Sequence, residues 1–173
     1  VKEEFVTKIS SKLTIDQKGY FRDDVFGNSG PLPPKVGERT TYTIIWSLKN
    51  YSSDVKNIKV KTVLPQGVEL TGKIFPEKEI SKFSFDIESR EIVWTVGDLE
   101  RGSGVFKSGP SISFQIAFTP GESLRGQTPE IIGKAIVEGL DSWTETSLTT
   151  ESPAVNTTLP DDPTVTEEMG IIR

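Results

Sequence analysis

The chain has 173 residues, room for one β-sandwich with extensions or two very small domains. With 20 basic against 25 acidic side chains and a net charge of -5, it lacks the basic excess that nucleic acid or an anionic membrane surface demands. It has no cysteine and no histidine, which removes disulfides, thiolate nucleophiles, zinc-thiolate sites and the commonest general base, and no apolar run approaches the ~20 residues of a membrane helix.

Taken in order, Val1 to Ile15 alternates: Phe5, Ile9, Leu13 and Ile15 fall on odd positions, and Lys2, Glu4, Lys8, Lys12 and Asp16 on even ones. A period of two predicts one long edge-type strand whose lysines discourage unwanted pairing. Gln17 to Pro34 reads as a connector ending in a stiff NSGPLPP stretch. Val36 to Gly67 then predicts two strands. Tyr42, Ile44, Trp46 and Leu48 share one face, and Thr41, Thr43, Ser47 and Lys49 share a wet one, with Ile45 the apolar exception. Asn50 to Asp54 supply turn chemistry. Ile58, Val60, Thr62 and Leu64 form the inner face of the second strand. Pro65, which has no N–H, ends it, and Gly67 permits the turn that follows.

Further strands are predicted at Val68 to Ile74, at Phe83-Phe85-Ile87 paired with Ile92-Trp94-Val96, and at Ile112 to Phe118. Two more follow at Ile131 to Leu140 and Trp143 to Thr150. Glu100 to Pro110 is a loop by its glycines and proline. No 3.6-residue period marks a helix. Glu151 to Arg173 is Thr/Pro/acidic and reads as a loosely held tail, with an apolar Met169 to Ile172 able to dock. The organisation expected is therefore 1–35 as N-terminal strand and connector, 36–150 as a sandwich, and 151–173 as tail.

The opening V-G-x-x-T-x-Y-T-I, the polar turn and V-x-N-I-x-V-x-x-x-L-P-x-G-V are followed by Ile92 to Leu99 (IVWTVGDL) and Ser111 to Thr119 (SISFQIAFT). In this order the motifs resemble the conserved-repeat domains of prokaryotic surface proteins, catalogued as domain of unknown function eleven, over roughly Gly37 to Thr150. The resemblance implies an Ig-like fold and brings no catalytic motif. One departure is Thr62, where that family usually carries an aspartate.

Chemistry is sparse. The acid pairs Asp23-Asp24, Asp161-Asp162 and Glu167-Glu168 offer oxygens of the kind calcium takes, but without D-x-D-x-D-G spacing they read as solvated charge. Glu91 and Asp98, near Trp94, are the least unsuitable carboxylate pair for glycoside hydrolysis. Trp46 and Trp94 lie in phase with apolar neighbours and read as core together with Phe114. Trp143, at a strand start, is the indole available to a sugar. Asn50 and Asn156 stand in N-x-S/T sequons, and a lysine–asparagine crosslink would have to use Asn28, Asn50, Asn57 or Asn156.

These readings add up to an all-β, Ig-like antiparallel sandwich of about seven to nine strands. It is expected to serve as a non-enzymatic structural or adhesive module of an extracellular prokaryotic surface protein. No catalytic, cofactor-binding or metal site is assigned. The expected partners are neighbouring domains or copies of itself, with a surface glycan as an alternative, and neither nucleic acid nor membrane insertion. A third reading is a filament subunit that lends Val1 to Ile15 as a strand.

Overall fold

Two strands form the centre of the first sheet. In the computed structural model, which describes residues 3–173, β2 (Thr40–Asn50) lies antiparallel to β7 (Ser111–Phe118). Their register sets Tyr42 opposite Ile116, Ile44 opposite Phe114 and Trp46 opposite Ile112, so the apolar phases of both strands fall on one face. β1 (Leu13–Tyr20) and β4 (Val68–Phe75) complete this sheet in the order β1-β2-β7-β4. The second sheet contains β3 (Val55–Val63), β5 (Phe83–Phe85), β6 (Glu91–Leu99), β9 (Ala135–Asp141) and β10 (Ser147–Ser152), ordered β10-β9-β3-β6-β5. A short pair, β8 (Glu130–Ile132) with β11 (Val155–Asn156), lies outside both. Across the first sheet β1, β2, β7 and β4 occupy the A, B, E and D places of an Ig-like sandwich, and in the second β3, β9 and β10 occupy the C, F and G places. β5 and β6 are inserted between D and E, on the free side of β3.

The core lies between the sheets. Trp46, Trp94 and Phe114 are fully buried, as their phase predicts. The Trp46 ring lies 5.0 Å from Phe114 in an edge-on arrangement and 6.3 Å from Trp94. Both indole N–H groups find partners, as buried tryptophans require. Trp46 Nε1 donates to Gln17 Oε1 at 2.7 Å, and Trp94 Nε1 donates to Glu79 Oε2 at 2.9 Å. Gln17 holds its position by donating through Nε2 to the carbonyls of Gly133 and Pro153.

Several expectations need correction. The N-terminal strand does not span Val1 to Ile15. Val1 and Lys2 lie outside the described residues, Glu3 to Lys12 form no strand, and pairing starts at Leu13 opposite Asn50. The alternation fails upstream because nothing covers Phe5 and Ile9, whereas Leu13 and Ile15 meet the core. The wet face expected on β2 is partly dry. Thr41 and Thr43 are buried under the connector, where Thr41 Oγ1 accepts from Ser29 N and Thr43 Oγ1 donates to Asp23. Ile87 lies in a turn and is exposed, so β5 stops at Phe85. The strand expected over Ile131 to Leu140 breaks at Gly133, whose carbonyl accepts from Thr62 Oγ1 at 2.9 Å. A carboxylate in place of Thr62 would have no proton to donate there. The strand expected over Trp143 to Thr150 begins at Ser147, leaving Trp143 in the turn before it.

The C-terminal residues are not loose. Leu159 and Ile172 are buried. Ile172 exchanges backbone hydrogen bonds with Gly126 and Gln127, and Arg173 with Pro34 and Val36. Asp162 is also buried and accepts from the amides of Phe21, Arg22 and Thr164, tying this segment to the end of β1. Burial disfavours its charge, but these donors prevail and hold its carboxyl below the ordinary aspartate value.

Candidate interaction surface at the loop end

Four segments meet at the end of the sandwich where β2 stops and β1 begins: 51–54, 100–110, 142–146 and the stretch leading into β1. A buried polar cluster joins them. Asp141, the last residue of β9, accepts from Ser11 N, Ser53 Oγ, Trp143 N and Thr144 N. Ser11 Oγ donates to Asn50 Oδ1 at 2.7 Å and accepts from Ser52 N. Asn50 Nδ2 donates to the carbonyls of Ser53, Leu99 and Glu100. Burial would raise the Asp141 carboxyl, but four donors aimed at it outweigh that and hold it far below the usual carboxylate range. One ionised side chain thus fixes two loops and the root of the N-terminal segment, and Asn50 ties in the third loop through Glu100.

On this frame sits an unusual amount of exposed apolar surface. Phe5, Val6, Ile9 and Phe106 are each more than 70% exposed, and Trp143 is 52% exposed. Lysines of the N-terminal segment rest on two rings: Lys8 Nζ lies 5.1 Å from the Trp143 ring and Lys12 Nζ 5.5 Å from that of Tyr51. A cavity of about 620 Å³ opens between Ile9, Ser53, Asp54, Arg101 and Trp143, and one of about 440 Å³ adjoins it, bounded by Tyr51, Arg101 and Phe106. Arg101 borders both, and its backbone N–H donates to Asp54 Oδ1. Of these, Ile9, Trp143 and Phe106 line the two adjoining cavities, and exposed apolar groups beside such cavities mark a contact surface.

No protein-family model and no curated protein matches the chain, so the resemblance to conserved-repeat domains stands on the motifs quoted above. Among solved structures it is similar to BcpA, the major pilin subunit of Bacillus cereus, with 14% identity over 84% of this chain and 39% of that one, at a TM-score of 0.47. It is also similar to the major pilin SpaD of Corynebacterium diphtheriae, with 13% identity over 84% of this chain and 35% of that one, TM-score 0.46. The Fcho1 Mu homology domain of Danio rerio follows, with 11% identity over 82% of this chain and 43% of that one, TM-score 0.41. The chain thus spans about two fifths of the pilin lengths, and all three scores lie below 0.5, too low to bear on activity, partner or assembly.

The structure disperses the other candidate residues. Asp23 is occupied by the amides of Val25 and Phe26 and by Asn28 and Thr43, and Asp162 by backbone amides. Among the described residues no three of His, Cys, Asp and Glu gather into a cation site. Glu91 and Asp98 stand seven residues apart on one strand, roughly 23 Å at strand rise, far beyond the ~5–9.5 Å of a glycosidase pair. Asn50 is buried with its amide fully engaged, so its sequon is closed, and Asn156 accepts from Thr158. Every described lysine is at least partly exposed, which leaves none between the sheets for a crosslink to asparagine. Trp143 alone of the indoles meets solvent. Sequence reading missed Asp141, Ser11, Arg101 and Phe106. An aspartate just before a turn, able to cap amides two and three residues on, was the available signal for the first.

Proposed function

We propose that this chain is a non-enzymatic structural module of an extracellular prokaryotic surface protein, working as a lengthwise spacer that contacts neighbouring domains or copies of itself. The observation that carries this reading is the placement of the two chain ends. The N-terminal segment leaves from the loop end, beside Asn50 and Trp143. Arg173 is bound to Pro34 and Val36 before the start of β2, at the opposite end. The eleven residues of β2 separate the two by roughly 35 Å. Modules joined through such ends extend in line, and the exposed apolar loop end faces the preceding neighbour. Small-angle scattering from a tandem of two copies tests this: the maximum dimension should come close to twice that of one copy. A tandem no longer than a single module contradicts the spacer reading.

A second reading, a carbohydrate-binding module, draws on Trp143 and the hydroxyl-rich cavity beside it, where Ser52, Ser53, Ser142 and Arg101 could meet sugar hydroxyls. Binding of this kind should vanish in Trp143→Ala and survive changes distant from the loops. A glycan screen without hits, or hits indifferent to Trp143→Ala, removes it.

A further inference from the structure

The second sheet has an open place in it. β5 pairs with β6 only from Phe83 opposite Trp94 to Phe85 opposite Ile92. Beyond Trp94, β6 runs on through Thr95 to Leu99 with β3 on one side and no strand on the other, because Glu77–Lys82 coils into a 3₁₀ turn instead of extending β5. A groove of about 570 Å³ lies along this stretch, bounded by Val96, Asp98 and Leu99 of β6, by Lys78, Glu79 and Lys82, and by the loop from Ser103 to Ser111. An unpaired strand edge beside a groove is a template for an added strand.

The same chain carries a segment suited to it. Glu3 to Ser10 has no strand partner, and Phe5, Val6 and Ile9 stand exposed. Its root is fixed: Ser11 N is bound by Asp141, and Ser10 Oγ lies 3.2 Å from both Thr144 Oγ1 and Thr146 Oγ1. In an added strand Phe5, Thr7 and Ile9 would share one face, and eight residues span roughly 26 Å against roughly 17 Å for the five of the bare edge. The charges complement. Glu3 and Glu4 answer Lys78 and Lys82, and Lys8 answers Asp98, one of whose oxygens already accepts from Asn57 N at 3.0 Å. Lys82 already pairs with Glu79 at 3.4 Å, whereas Lys78 has no ionic partner among the described residues.

We infer that residues Glu3 to Ser10 of one copy fill the open edge of β6 on a second copy. The inference rests on the reading of the chain as an assembling structural module and names the contact. Donor and acceptor are different patches, so the contact is heterologous and propagates as an open chain of copies. β1 is not lent: it stays in its own sheet.

The test uses the whole chain and a form lacking residues 1–10, which keeps β1 and the Ser11 clamp. In sedimentation the whole chain should associate as concentration rises, and the shortened chain should stay monomeric. A peptide of residues 1–11 should bind the shortened chain. Lys78→Glu with Lys82→Glu should weaken that binding at least tenfold, and Glu3→Lys with Glu4→Lys in the peptide should restore it. A whole chain that stays monomeric, a shortened chain that associates equally, or peptide binding indifferent to the lysines each overturns the inference. Should the shortened chain not fold, the same charge exchange in two full-length chains, mixed, decides the matter. Dimensions of a covalent tandem do not depend on this contact, so the spacer reading and the strand contact fail separately.

Discussion

Trp46 shows how a residue's burial and its hydrogen bond divide the work. Its ring fills the centre of the core, and truncation to alanine should cost about 3–5 kcal/mol. Gln17→Ala leaves the ring in place but orphans the indole N–H, and should cost about 1–3 kcal/mol. Chemical denaturation of both variants checks the ordering; a Trp46→Ala midpoint close to that of the parent would contradict the core placement. Asp141 makes a pH prediction. Its folded-state carboxyl is held below the unfolded value of about 3.9, so the stability it supplies is fully present above that value and is lost as pH falls beneath it. Asp162 acts in the same direction. Asp141→Asn should destabilise the chain at pH 7 and flatten the loss of stability below about pH 4. Acid melts of parent and variant that fall in parallel would show that this carboxylate does not couple the loops.

At the scale of elements, the C-terminal segment makes the clearest prediction. Ile172 is buried and its backbone is bonded to Gly126 and Gln127, so Ile172→Ala should cost about 2–5 kcal/mol. A loose tail would give no change in melting temperature. The inner faces of β2, β3, β6 and β7 were legible in the sequence because alternation of Tyr42, Ile44 and Trp46, or of Ile112, Phe114 and Ile116, is a local signal with one burial solution. The same signal misled at Phe5 and Ile9, since alternation says which residues share a face and not whether anything covers it. It misled in the opposite sense at Thr41 and Thr43, which a connector twelve to twenty residues away covers through Asp23, Asn28 and Ser29. Compositional bias concealed most of the tail: Thr, Pro and acidic residues dominate it, and only the docking of Met169 to Ile172 was expected, yet Val155, Leu159, Ile172 and the capped Asp162 are all buried. The loop-end surface was legible only at Trp143. Arg101, Phe106 and the Asp141 cluster come together through tertiary contact, the Ser11 to Asp141 bond across 130 positions of chain, which no local pattern carries.

For the whole molecule, the lengthwise spacer reading makes a mechanical demand. Tension applied between the loop end and Arg173 runs along the strands. β1 is paired to β2 over eight residues, from Leu13 opposite Asn50 to Tyr20 opposite Thr43, and such a load shears these pairs together. Tension between two points on the loop end instead opens the sheets from one edge, one contact at a time. The direct measurement is single-molecule pulling of the same chain in both geometries, with handles at Ser10 and Arg173 in one case and at Asp54 and Trp143 in the other. The spacer account predicts a single cooperative rupture at clearly higher force for the lengthwise pull. Rupture lengthwise at a force equal to or lower than across the loop end would contradict it.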